Sequence, residues 1–302
     1  MLVRWVPFVF VVLWASGFVG ARLGLQYAEP ATLLTIRMMA NVVMFFVLVH
    51  VLGRAIPRKG PFFHSCVVGI FIHGFYLGGT YMAIHLGMPA GLSSLLVGLQ
   101  PIFTAVLLVV FTRERFVWSQ WMGLALGFVG IGLVLFGKVQ WQLEQHKLLA
   151  IGFCLLSLIG ITLGTLYQRR FCHGGDKLGS ALVQYMAAGC LFLPYALLNE
   201  SMQVHWTIEF MMTLGWLVVV LSGFAVLLLL YMVEHGAASK VACVFYLVPP
   251  VTAVQAWLIF DESFDRWGML GFMCAAMAVY LVVKAPTFSR LGRSERPLGA
   301  ER

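Results

Sequence analysis

The chain has 302 residues, 61% apolar and 11% charged, with a mean hydropathy of +0.92, whereas a soluble domain carries about 45–50% apolar and about 25% charged residues. That composition excludes a soluble globular fold. The net charge of +8 does not point to nucleic acid, because the basic residues fall between apolar runs and no stretch interleaves them with exposed aromatics; the six cysteines lack CxxC or Cys/His spacing, so neither disulfides nor a metal site is expected.

Apolar windows of about 20 residues, long enough to cross a bilayer as helices, recur along the whole chain. They predict ten spans at 5–25, 31–52, 64–86, 89–112, 117–137, 148–168, 179–199, 211–233, 237–260 and 266–284. The opening MLVRWVPFVFVVLWASGFVGA has a charge ahead of an apolar run, as a signal peptide does, but the run extends to about Leu25 and reads as a retained first helix. Connections are short, and the polar tail 286–302 is expected to be disordered.

Lys and Arg placement sets orientation, because cytoplasmic loops carry the excess. With the N-terminus inside, fifteen basic residues fall on the cytoplasmic side (Arg4, Arg54, Arg113, Arg169 and Lys284 among them), against three outside: Lys138, Lys147 and Arg266. Both termini are therefore expected in the cytoplasm.

The chain also repeats itself. Leu99–Gly123, LQPIFTAVLLVVFTRERFVWSQWMG, aligns with Leu247–Gly271, LVPPVTAVQAWLIFDESFDRWGMLG, at a constant offset (247 − 99 = 148), and eight of 25 positions are identical. Arg113-Glu114-Arg115 becomes Asp261-Glu262-Ser263. Five spans per repeat is an odd number, so the second copy inserts upside down and its equivalent loop no longer faces the cytoplasm. The expected fold is all-α integral membrane: ten transmembrane helices as two inverted five-helix repeats, 1–142 and 143–285. In secondary transporters of this kind the substrate site lies near mid-bilayer between the repeats.

With these motifs in view the chain resembles the drug/metabolite transporter superfamily, in particular its ten-helix bacterial EamA-type permeases. The resemblance covers the chain to about residue 285. LWASGFVGARL matches the family's Trp-x-Ser-x-Phe pattern at Trp14, Ser16 and Phe18; LLTIRMMA places Arg37 at the family's usual arginine; and the Pro…Glu…Gly pattern falls on Pro101, Glu114 and Gly123, then on Pro249 or Pro250, Glu262 and Gly271. The sixth span, LLSLIGITLGTLYQRR, lacks the aromatic richness of many relatives. The resemblance implies export or exchange of amino acids, nucleobase-like metabolites, drugs or other small organics, in a bacterial inner membrane.

The residues themselves suggest where substrate binds. Trp14, His73, Tyr76, Gln100, Ser157, Ser222 and Tyr246 lie about 8–14 residues into their spans, near the bilayer centre. His73, Tyr76 and Thr80 share one face of span 3, and Ser93, Gln100 and Thr104 one face of span 4. Buried polar groups require hydrogen bonds, so these faces meet each other or a wet cavity; interhelical bonding that only supports packing is the competing reading. His73 is the single mid-span histidine and the proton-coupling candidate, since no Asp or Glu lies deep in a span. Arg37 sits about 9 Å below the outer end of span 2 and must find partners, either a substrate carboxylate or helix-end carbonyls. Pro101, Pro249 and Pro250 free backbone carbonyls at equivalent places and are hinge candidates; Glu114 and Glu262, at span ends, are gate or structural elements.

The substrate-binding set is thus Trp14, Ser16, Arg37, His73, Tyr76, Gln100, Ser157 and Tyr246. No catalytic or metal residues and no cofactor are expected: GxxxxGK[ST] and HExxH are absent, and WASG lacks the preceding glycine of GxSG. The expected partners are a small-molecule substrate, possible coupled protons and the lipid bilayer, with no nucleic acid and the oligomeric state open. The alternative function is a non-transporting membrane sensor or assembly protein, disfavoured by the short loops. A channel is disfavoured because no charged ring is present.

Overall fold

The computed structural model describes residues 5–112, 118–136, 144–172, 176–226, 228, 245, 247–263 and 265–284. In chain order its helices are α1 (Val6–Gly24), α2 (Pro30–Val51), α3 (Gly60–His85), α4 (Ala90–Val97 and Gln100–Thr112), α5 (Trp118–Phe136), α6 (Lys147–Phe171), α7 (Lys177–Asn199), α8 (Ile208–Ala225), α9 (Val248–Phe260) and α10 (Arg266–Lys284). Of these, α1, α2, α3, α6, α7 and α8 are long and apolar enough to cross a membrane; the others are apolar and shorter or interrupted. Among the described residues no strand occurs beyond an isolated antiparallel bridge, Ala28 to Val204.

Proline and short polar side chains set the helix starts. Prolines occupy the first turn of α1, α2, α3 and α9, where a missing N–H removes no hydrogen bond. Asp176 Oδ1 accepts from the Leu178 and Gly179 amides to open α7, and Thr207 Oγ1 accepts from Phe210 N to open α8. In α4 the helix breaks at Gly98–Leu99, because Pro101 cannot donate to the carbonyl four residues back and its ring crowds that turn. Pro101 thus becomes the second residue of a new half-helix. Pro249 and Pro250, expected mid-span, likewise lie in the first turn of α9 as described. Two helices change pitch internally: α3 is π-helical over Ile70–Tyr76 and α8 over Trp216–Ala225.

The helices pack as α1 on α8 and α9, α6 on α3 and α4, α2 on α7, α3 on α7, α2 on α8, α4 on α9 and α5 on α10. Small residues permit the closest of these approaches. A Cβ on Gly160 of α6 would lie 2.8 Å from both Phe75 Cβ and Tyr76 N of the α3 π segment, and one on Gly79 of α3 would lie 2.5 Å from Phe153 O of α6. Gly127 of α5 abuts Ile102 of α4, where a Cβ would lie 3.0 Å from the Ile102 Cδ1. The buried side chains form two clusters. One joins α1, α4, α6, α9 and α10 around Phe10, Leu92 and Leu95; the other joins α2, α3, α7 and α8 around Met38, Phe45, Tyr81 and Phe210. Outside them, large apolar side chains such as Val43 and Phe46 of α2, Leu148 of α6 and Leu198 of α7 are exposed, as a lipid-facing surface requires.

Candidate functional site

The second cluster encloses a set of polar groups. Arg37, in the middle of α2, is 5% exposed. Its Nη1 donates to the Tyr81 hydroxyl of α3 at 2.7 Å, and its Nη2 reaches the Leu217 carbonyl at 3.4 Å and Ser222 Oγ at 3.5 Å, both in the α8 π segment. That segment makes the contact possible. A π turn takes backbone carbonyls out of the regular α ladder, and the Leu217 carbonyl here accepts from the Ser222 hydroxyl at 3.1 Å as well. Arg37 Nε has no partner among the described residues. One turn further along the same face of α2, Asn41 is fully buried and neither of its amide atoms is hydrogen-bonded.

The α3 π segment contributes the opposite wall. His73 lies against the Tyr185 ring of α7, with centroids 4.4 Å apart at 32°, and the Gln184 side chain sits beside it. Tyr185 packs on Phe45 at 5.1 Å and lies near Ser222. His73 and Tyr76 are deep in the protein, yet both keep part of their surface accessible. Tyr76 connects this wall with the first cluster, where Trp14 packs on Phe10 at 5.3 Å and edge-on to Phe245 at 5.6 Å.

Of the residues singled out by sequence, Arg37, His73 and Ser222 therefore converge, with Tyr76 and Trp14 adjoining. Others link helices. Ser16 Oγ donates to the Leu13 carbonyl and accepts from Trp216 Nε1 at 2.8 Å, joining α1 to α8. Gln100 donates to Thr165 Oγ1 at 2.9 Å, joining α4 to α6. Ser157 bonds Thr80 at 2.7 Å and the Tyr76 carbonyl at 2.9 Å, joining α6 to α3. Tyr246 and Glu114 lie outside the described residues. Sequence reasoning passed over Asn41, Tyr81, Gln184 and Tyr185. Asn41 carried a usable signal, an amide at i+4 from a buried arginine; Tyr81 and Tyr185 carried none, since a tyrosine in an apolar helix is ordinary.

Glu262 sits apart from this set, in the turn after α9, 5% exposed. Its carboxylate pairs with Arg22 at the end of α1 and accepts from the Ala90 and Gly91 amides, at 2.9 and 3.2 Å, at the start of α4. Arg22 also rests over the Phe260 ring, 4.2 Å from its centroid. Glu200 has a parallel role at α2, accepting from the Ala31 and Thr32 amides at 2.8 and 2.7 Å. Among the described residues no group of three or more His, Cys, Asp or Glu side chains could hold a metal ion.

Residues 4–136 and, separately, 148–284 match the EamA-like transporter family. The chain belongs to that family. Relatives include the uncharacterized transporter YdfC of Bacillus subtilis, 27% identical over 87% of this chain and 85% of that protein. The uncharacterized inner membrane transporter YedA of Escherichia coli is 20% identical over 91% and 88%. A probable terminal-alkyne amino-acid exporter of Streptantibioticus cattleyicolor is 31% identical over 43% of each chain. A crystal structure described only as that of a protein superposes with a TM-score of 0.63 at 13% identity, covering 91% of this chain and 94% of the other; it shares the fold. The chain is thus a multi-pass membrane protein of a transporter family, consistent with the drug/metabolite transporter superfamily.

Proposed function

We infer that this EamA-family member is a secondary transporter, an exporter or exchanger of a small organic metabolite such as an amino acid or a nucleobase-like solute. It works by alternating access around the Arg37–His73–Ser222 site. The observation that carries this reading is the site itself: a buried guanidinium and a buried amide with unmet hydrogen-bonding capacity, between two helices that both change to π pitch there. Groups this costly to bury persist in membranes where they serve a pathway, and π segments concentrate at functional sites.

The inverted-repeat reading has its own support. Exchanging each of α1–α5 with the helix five further on carries several of the packing pairs onto one another, α1–α8 onto α6–α3, α1–α9 onto α6–α4 and α3–α7 onto α8–α2, while α2–α7, α4–α9 and α5–α10 map onto themselves; α1–α3, α1–α4, α2–α3 and α4–α10 have no such counterpart among the described residues. The sequence offset does the same for the π segments, since 70 + 148 = 218 and 76 + 148 = 224 fall inside Trp216–Ala225. The two separate family matches, 4–136 and 148–284, support a division into repeats 1–142 and 143–285, whose boundary falls in the gap between them. The orientation follows the basic residues, with both termini cytoplasmic in a bacterial inner membrane. Arg22, Glu262 and the start of α4 then lie on the outer side, where the ion pair acts as an outer gate, and Pro101, Pro249 and Pro250 allow the half-helices to swing. Glu114 holds the corresponding gate position in the first repeat. The amino-acid side of the substrate range is favoured by the relative named as an amino-acid exporter.

Counterflow in proteoliposomes tests the reading, using labelled amino acids, nucleobases and cationic drugs with and without an imposed pH gradient. Saturable exchange of one class is expected. A pH-driven component lost in His73→Ala assigns proton coupling to that histidine, whereas pH-independent exchange removes it from the mechanism. Absence of exchange by folded protein across a widened panel would overturn the transporter reading and favour a sensor.

A further inference from the structure

Arg54, Arg58 and Lys59 lie in the connection from α2 to α3, and Arg169 and Arg170 in the last turn of α6; all five are exposed. Packing brings the two groups to one end of the bundle. His64, near the start of α3, hydrogen-bonds the Tyr167 hydroxyl of α6 at 2.8 Å and stacks on Phe171 with ring centroids 5.1 Å apart at 12°. Gly179, in the first turn of α7, fits against the Ala55 carbonyl only because it has no side chain. That contact sets the α2–α3 connection over the start of α7.

These charges are poorly balanced. Among the described residues the one ion pair they make is that of Arg54 with Asp176, at 3.9 Å, and Arg54 stays 57% exposed. Asp176 also accepts from two α7 amides. Helix dipoles account for part of the set, since the carbonyl end of α6 favours Arg169 and Arg170. Arg58 and Lys59 instead directly precede α3, whose first turn has neither an acidic residue nor a side-chain cap. The positive pole of that helix adds to their charge, and an anion from outside the chain would relieve both.

The surroundings narrow the kind of anion. Phe62 and Phe63 follow Lys59 within one turn of α3, and Phe171 follows Arg170; all three rings are exposed. Aromatic side chains beside cations at the ends of apolar helices suit the depth where lipid head groups give way to acyl chains. A soluble acidic partner would leave these rings in water. A glycerophospholipid covers them with its chains while its phosphate meets the cations.

We propose that the α2–α3 connection and the end of α6 together bind an anionic glycerophospholipid, Arg58, Lys59, Arg169 and Arg170 supplying the charge for its phosphate and Phe62, Phe63 and Phe171 the apolar contact. The lipid bridges α3 and α6, one helix from each proposed repeat. With the orientation proposed above it belongs to the cytoplasmic leaflet. The assignment does not depend on which solute is carried.

The test is binding of acyl-labelled fluorescent phosphatidylglycerol to the full-length protein in maltoside micelles, followed by anisotropy. Saturable binding is expected, at least tenfold tighter than that of labelled phosphatidylcholine and weakened by added salt. Arg58→Gln with Lys59→Gln should weaken it about 25-fold, and Arg169→Gln and Arg170→Gln added to these by several hundredfold, at about fivefold per basic residue. The control carries Arg290→Gln, Arg293→Gln, Arg296→Gln and Arg302→Gln, the same loss of charge in the tail, and should bind as wild type does. Equal affinity for the two lipids would overturn the proposal. So would a four-site variant that keeps the preference, or a tail control that loses as much, which would reduce the effect to net charge. Displacement by glycerol 3-phosphate as effective as by unlabelled phosphatidylglycerol would overturn the lipid assignment in favour of a soluble phosphate. Should the four-site variant not fold, the two-site variant and the comparison of lipids on wild type decide.

Discussion

Glu262 offers the sharpest test of how the bundle is held at the end where α1, α4 and α9 meet. Its carboxylate meets three donors from two other helices: Arg22 of α1 and the Ala90 and Gly91 amides of α4. Removing one partner of a buried ion pair costs about 3–5 kcal/mol; Arg22 is 14% exposed and keeps the Phe260 ring beneath it, which brings the pair nearer to about 2 kcal/mol. Each backbone N–H left without an acceptor adds about 1–3 kcal/mol. Glu262→Leu, losing all three, is therefore expected to cost about 4–8 kcal/mol, and Glu262→Gln, which keeps one oxygen for an amide, about 3–5 kcal/mol. Arg22→Met should cost less than Glu262→Leu, about 2 kcal/mol, because the orphaned carboxylate still faces two amides at a helix N-terminus. The assay is a double-mutant cycle on unfolding in mixed micelles, with Arg22→Met, Glu262→Leu and the pair. A coupling of about 1.5–2 kcal/mol between the sites is expected. Equal costs for the two single variants with no coupling would refute the reasoning, since three shared donors cannot give that result. Where the same contact closes the outer gate, about 2 kcal/mol corresponds to roughly a thirtyfold shift toward the outward-open state.

Three further outcomes are expected. Gly160→Leu drives a side chain into Phe75 and the Tyr76 amide and should lower the thermal midpoint strongly, a loss of about 3 kcal/mol or more, whereas Gly152→Leu on the same helix meets nothing within 4 Å and should leave it unchanged; equal effects would refute the close α3–α6 approach. Glu200→Gln weakens the acceptor for the α2 start, so hydrogen exchange at the Ala31 and Thr32 amides should accelerate by about tenfold, equivalent to about 1–1.5 kcal/mol, with amides deep in α7 unaffected. A fluorescent-protein fusion at the C-terminus should fluoresce and an alkaline phosphatase fusion there should be inactive; the reverse pattern would overturn the cytoplasmic placement of the termini.

Much of the architecture was legible in the sequence because a bilayer leaves few choices. Backbone polar groups must be satisfied within each segment, so apolar runs of spanning length become helices, and the expected edges of spans 1, 2 and 7 fall within two residues of α1, α2 and α7. The prolines announced helix interruptions for the same reason: a missing N–H is a local covalent fact, and α4 breaks just ahead of Pro101. Arg37 and His73 stood out as polar groups too costly to leave in an apolar helix without purpose.

What the sequence could not announce was which polar groups have partners. Ser16, Gln100 and Ser157 stood with Arg37 among the substrate-binding candidates, and each is fixed by a neighbour on another helix: Trp216, Thr165 and Thr80. Those partners lie 65 to 200 residues away in the chain and are set by helix packing, which no local pattern encodes. The π segments were equally hidden, because an inserted residue in a turn depends on what the helix must accommodate. Chain composition and hydrophobic period thus determined that this is a helical membrane protein and where its apolar helices run. Only the tertiary structure separated the fully bonded polar side chains from Asn41 and from Arg37, whose Nε alone lacks a partner, since hydrogen-bond satisfaction belongs to pairs of groups brought together in space rather than to residues taken one at a time.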